Sequence, residues 1–95
     1  MPAYVIAEVE IQDAAAYEEY RKQVPGTIAA YGGKYLARGG KVEVVEGGRA
    51  PGRMVILEFP TLAQAKAWYD SPEYRPVRAI RHRTAKSHAL IIEGL

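Results

Sequence analysis

The sequence predicts an α+β fold of the ferredoxin-like kind, βαββαβ. In this fold an antiparallel sheet carries its helices on one face. Three observations predict it. Period-two alternation marks residues 4–11, 53–59 and 87–93. Between these lie stretches whose apolar residues recur at spacings of three and four. Each helical stretch opens on a capping residue and closes on glycine or a second start signal. The expected order is strand–helix–strand–strand–helix–strand, with the first and third strands as parallel central neighbours and antiparallel strands at the edges.

Val5, Ala7, Val9 and Ile11 share one face of the first strand, which suits packing against helices; Tyr4, Ile6, Glu8 and Glu10 share the other. Asp13 is placed to cap the first helix, whose stripe is Tyr17, Tyr20, Val24, Ile28 and Tyr31. Pro25 lacks the helical N–H and clashes with the preceding turn, so a kink or break is expected near Val24. Gly32-Gly33 closes the helix. Residues 34–38 and 42–46 read as strand, with Gly39-Gly40 as a bend or bulge inside one long strand rather than a hairpin turn. Residues 47–52 reverse the chain. Both faces of 53–59 are apolar until Glu58, and Pro60 ends the strand. Thr61 and Gln64 form a capping box ahead of the stripe Leu62, Ala65, Trp68 and Tyr69. Ser71-Pro72 starts a further helix, with Tyr74, Val77 and Ile80 inward and Arg75, Arg78 and His82 on a basic face.

Composition narrows the function. The 95 residues suit one domain, 1–95, which buries roughly two-thirds of its unfolded surface. No apolar run spans a bilayer, and residues 1–11 lack the pattern of a signal peptide, so a cytoplasmic location is expected. Without cysteine there is no disulfide, thiolate nucleophile or sulfur-ligated metal. The net charge of +2 does not point to nucleic acid, although arginines gather late in the chain. The arginine-rich stretch 75–86 leaves RNA binding as a minor option, with no aromatic platform beside it. The glycine pairs match no phosphate-binding fingerprint, and no cofactor is expected.

Two helices cover only one face of such a sheet. The other carries Tyr4, Ile6, Met54, Ile56, Leu90 and Ile92, too much apolar surface to leave in water. A homodimer through this helix-free face is the simplest remedy.

The motifs at 4–9, Tyr17 and Tyr20, 33–40, 42–47, 57–59 and above all 67–74 resemble the family known as domain of unknown function family 1330, within the dimeric α/β-barrel superfamily. The resemblance spans essentially the whole chain. It implies the ferredoxin-like fold and the dimer, and no settled activity; superfamily relatives include small-molecule monooxygenases and lactone isomerases that use the cleft between sheet and helices. Carrying such activities over is analogy at the level of fold.

With the first and third strands parallel, Glu8, Glu58 and His88 meet on the helix-free face, near Tyr35 and Arg38. Such crowding raises carboxyl pKa values and creates a general acid or base. The expected catalytic residues are Glu58 or His88 for proton transfer and Arg38 to clamp an anionic group bidentately. The substrate is then a small organic acid or carbonyl compound, and no metal is involved. Ion pairing of Glu8 or Glu58 with Arg38 or Arg53 is the competing reading. Glu8, Tyr35, Tyr69, Ser71 and Tyr74 are the expected binding residues, the last three at a helix break forming a mouth. Trp68 reads as core. The alternative is a non-catalytic binding or assembly module whose polar residues serve the dimer.

Overall fold

A computed structural model describes all residues, 1–95. The elements are β1 (Ala3–Ile11), α1 (Ala14–Ala30), β2 (Lys34–Arg38), β3 (Arg53–Phe59), α2 (Leu62–Tyr69), α3 (Tyr74–Thr84) and β4 (Ala85–Glu93). The fold is ferredoxin-like: one four-stranded sheet in the order β2-β3-β1-β4, every neighbouring pair antiparallel. No helix is long and apolar enough to cross a membrane.

The relation of β1 to β3 corrects the expectation that they run parallel. The helical crossover through α1 lays β2 parallel to β1 with a gap between them. β3 returns from β2 and fills that gap, so it opposes both. Ala3 faces Phe59 and Val9 faces Arg53, which puts the two ends of β3 opposite the reverse ends of β1.

Asp13 caps α1 by accepting the Ala16 N–H at 3.1 Å. Pro25 lies inside this helix without breaking it. One ladder bond is missing, but Tyr17, Tyr20, Val24 and Ile28 are buried along both halves of the helix and hold it to the sheet. At its end Gly32 takes φ +78°, its N–H bonds to the Ala29 carbonyl, and the Gly33 N–H bonds to the Ile28 carbonyl. This is a Schellman closure, in which the left-handed position costs glycine least.

Thr61 caps α2 through the Gln64 N–H at 3.1 Å. The Gln64 side chain donates to the Tyr31 carbonyl instead of reaching back to the backbone of Thr61. It therefore ties the start of α2 to the end of α1. Ser71 forms the joint between α2 and α3: its hydroxyl donates to the Trp68 carbonyl and accepts the Tyr74 N–H.

The expected strand at 42–46 is absent. β2 stops at Arg38, and Gly39 (φ +67°) turns the chain away while donating its N–H to the Met54 carbonyl. Residues 40–52 form an exposed connection, and Val45 is 91% exposed.

The core lies between the helices and one sheet face. Trp68 stacks on Tyr74 with centroids 4.1 Å apart and donates its indole N–H to Thr27 Oγ1. On the opposite face no helix covers Tyr4, Ile6, Met54 and Ile56, and Leu90 and Ile92 are more than half exposed.

Candidate small-molecule site

A partly open cavity lies between α1 and the sheet. Its walls are Val5, Ala7 and Val9 of β1, Val55 and Leu57 of β3, and Val24 and Ile28 of α1, with Trp68 beyond. A break in register decides which polar residues reach it. In a regular strand, Tyr35 and Arg38 point to opposite faces. A bulge between Tyr35 and Ala37 resets the alternation, so Tyr35 opposes Leu57 and Arg38 opposes Val55. Both then belong to the helix side.

Arg53 opposes Val9 on that same side. Its guanidinium occupies space that a Cβ on Gly39 would fill, so the left-handed glycine that ends β2 also seats Arg53. α1 starts where β1 ends, which brings Arg21 to this end of the cavity. The Thr84 carbonyl accepts the Gln12 and Asp13 N–H groups at 2.9 and 3.0 Å, so the last turn of α3, carrying Arg81, lies there too.

The cavity thus has an apolar body of about 40 Å³ and an end ringed by Arg21, Arg38, Arg53 and Arg81. Tyr17 shares this lining and feels the charge of all four arginines. Burial raises its phenol pKa, and Arg53, Arg81, Arg21 and Arg38 each pull it back down. Tyr35 is likewise raised by burial, and Arg38 lies over its ring at 4.6 Å. Arg21 is paired with Glu18 at 3.1 Å. Arg38, Arg53 and Arg81 have no carboxylate within salt-bridge distance. Arg81 is 5% exposed and its Nε–H has no partner, while its terminal nitrogen meets His82 Nε2 at 3.3 Å. Nearby, the buried Tyr20 and Tyr74 hydroxyls share a 2.7 Å hydrogen bond; burial drives the Tyr20 phenol well above its ordinary range and raises that of Tyr74.

Guanidinium groups only donate hydrogen bonds, and a protonated phenol adds another donor. The site is therefore suited to oxygen acceptors, above all charged ones. No group of three or more His, Asp and Glu side chains is arranged to hold a metal ion.

A family model described as Domain of unknown function (DUF1330) matches residues 2–95. The chain belongs to this family. Among curated proteins none matches the sequence. A protein of unknown function from Rhodopseudomonas palustris shares the fold of this DUF1330 chain at TM-score 0.78 and 20% identity, covering 99% of this chain and 82% of that one. A dimeric ferredoxin-like protein of unknown function from Thermobifida fusca matches at TM-score 0.69 and 19% identity, over 99% and 92% of the two chains. SnoaB, a cofactor-independent oxygenase from Streptomyces nogalater, matches at TM-score 0.66 and 8% identity, over 99% and 93%. At such identities the likeness shows the fold alone.

Of the residues singled out from the sequence of this DUF1330 member, Arg38 and Tyr35 line the cavity. Glu8, Glu58 and His88 do not converge as a trio. Glu8 and His88 are cross-strand partners on the helix-free face, but Glu58 opposes Tyr4. Tyr4 is separated from Glu8 by about 13 Å of strand. The cause is the antiparallel pairing of β1 with β3. Nor are the carboxylates paired with Arg38 or Arg53: Lys34 meets Glu58 at 3.2 Å, and Arg49 grips Glu8 with two bonds of 3.1 and 2.9 Å. That grip holds the Glu8 carboxyl below its usual range.

Ser71 and Tyr74 are buried in the α2–α3 joint and the core, so they form no mouth. Tyr69 is half-buried beneath Arg78, which stacks on its ring at 4.5 Å and donates to its carbonyl. It borders an open groove with His82, Lys86 and His88, which shares only Arg81 with the space where Tyr35 and Arg38 sit. From the sequence, Arg53 reads only as an ion-pair partner for Glu8 or Glu58, Arg81 only as one of the late arginines, and Tyr17 as core. A signal existed for Arg81: Tyr74, Val77, Arg81 and Thr84 are the buried positions of α3, and the same three-four spacing picks them out.

Proposed function

We propose that this protein binds a small organic molecule in the cavity between α1 and the sheet. One observation supports this above the rest: an apolar space inside the fold whose polar groups gather at a single end. That is the arrangement of a ligand pocket, in which a few convergent groups orient a mainly apolar molecule. If a reaction follows binding, it is cofactor-independent chemistry on a small organic acid or carbonyl compound. Arg38 and Arg53 are positioned to stabilise a developing oxyanion, and Tyr17 to donate its phenol proton toward it. Glu58 and His88 lie on the far face of the sheet, and no Asp, Glu or His lines the cavity to act as a base. Binding is therefore the reading the geometry favours over proton abstraction.

A second copy is proposed to cover the helix-free face, where Leu90 and Ile92 are exposed. The dimeric description of the Thermobifida fusca protein supports this. Glu8, Glu58 and His88 then belong to the subunit interface.

Trp68 lines the cavity, so its fluorescence reports on occupancy. Titration with small apolar acids, alcohols and amides is expected to change that emission and raise the melting temperature. A Val9→Phe variant, which fills the space while keeping its far-ultraviolet circular dichroism, is expected to lose both responses. Responses that survive in Val9→Phe show that the ligand binds elsewhere and contradict the proposal.

A further inference from the structure

We infer that the cavity is built for a carboxylate: a small monoanionic acid whose carboxylate lies among Arg38, Arg53 and Arg81 while its short apolar tail enters the space behind. This rests on the reading of the cavity as a ligand site and specifies what the ligand must carry.

Arg81 is the first reason. A guanidinium in a position only 5% exposed is costly unless its charge is compensated and its N–H groups are bonded. Here the charge is uncompensated, and the N–H groups are only partly bonded, one terminal nitrogen meeting His82 Nε2 at 3.3 Å. No acidic side chain lies within salt-bridge distance of Arg81, a residue of the cavity lining, and its buried Nε–H has no partner. An arginine serving structure alone is usually found with its counter-charge.

The accumulation of like charge is the second. Arg38 and Arg53 share the same wall, and both act on the Tyr17 phenol together with Arg81. Mutual repulsion among cations without an anion destabilises the folded chain. One anion at the ring relieves all of these interactions together. Arg53 is also fixed in place, since its guanidinium rests where a side chain at residue 39 would lie.

Shape is the third. The planar donor fork of arginine matches the two oxygens of a carboxylate. Directly behind the ring the walls turn apolar, with Val9, Ala7 and Val55 in register across β1 and β3. A carboxylate with a hydrocarbon tail satisfies both halves of the site, whereas inorganic phosphate satisfies only one. The volume of about 40 Å³ limits the tail to a few carbons unless the wall yields.

Calorimetric titration of the full chain with isobutyrate and benzoate, against isobutyramide, benzamide and inorganic phosphate, tests this. The amides match the acids in shape and lack the charge. The acids are expected to bind roughly ten- to a hundredfold more tightly than the amides, the span that charge-assisted hydrogen bonds supply. Their affinity should fall as salt is added. Arg81→Met and Arg38→Met are each expected to remove the preference for acid over amide. Arg38 is exposed, so if Arg81→Met fails to fold, Arg38→Met decides the matter.

Amides binding as tightly as acids, with both lost in Val9→Phe, overturn the carboxylate assignment and leave the cavity reading intact. Phosphate binding more tightly than either acid also overturns it. No binding of any probe at millimolar concentration contradicts the cavity reading and the carboxylate together.

Discussion

Tyr20 and Tyr74 illustrate what single residues do in this core. Each phenol is buried, and each supplies the other's hydrogen bond at 2.7 Å. Tyr20→Phe removes one hydroxyl and strands the other in a position that water does not reach, which is expected to cost about 1–3 kcal/mol in chemical denaturation. An unchanged unfolding midpoint contradicts that role. At Glu8 the issue is charge. The bidentate grip of Arg49 depresses the carboxyl pKa below the ordinary 4.5. A depressed carboxyl stabilises the fold above its unfolded-state value, and the contribution fades as pH falls through the lower folded value. NMR titration of Arg49→Gln is expected to show the Glu8 midpoint moving up toward 4.5. A midpoint that stays where it is in the parent protein assigns the depression to another group.

At the scale of elements, the helix boundaries were the most readable part of the sequence. Asp13, Thr61 and Ser71 each accept the backbone N–H that their positions predict, because capping is local chemistry between residues three apart. Gly32-Gly33 closes α1 for the same reason. Gly33 has a tertiary duty as well: a Cβ there would lie 2.5 Å from the Phe59 ring and 2.8 Å from Ile28. Gly33→Ala is therefore expected to destabilise the chain by about 1–3 kcal/mol, the usual cost of overpacking, measured by urea unfolding. A neutral Gly33→Ala contradicts this packing. Two elements escaped the sequence reading. Pro25 does not interrupt α1, since the buried stripe on either side outweighs one missing bond. Residues 42–46 alternate like a strand yet pair with nothing, because Gly39 directs the chain away from β3. The bulge at Leu36 was equally hidden, and it sends Arg38 to the helix side. Bulges and strand partners depend on residues distant in sequence, which periodicity does not report.

At the scale of the molecule, element order was sufficient for the ferredoxin-like fold, but not for the location of the site. Reversing one strand direction separates Glu58 from Glu8 and His88 and shifts attention from the outer sheet face to the inner one. Arg38 and Tyr35 remain candidate residues, on the helix side of the sheet and in the company of Tyr17, Arg53 and Arg81. The outer face is the proposed subunit contact. Leu90→Lys combined with Ile92→Lys, which places charge on that surface, is expected to give a monomer in sedimentation. A dimer of unchanged strength in that variant moves the interface to another surface. The inner face is tested most directly by the Arg81 Nε–H resonance in a nitrogen–proton NMR spectrum of the full chain. Added isobutyrate is expected to shift this signal downfield as the carboxylate becomes its missing partner, and isobutyramide to leave it nearly in place. An Arg81 signal that ignores both molecules while the exposed groups of β4 respond would contradict a ligand site between α1 and the sheet.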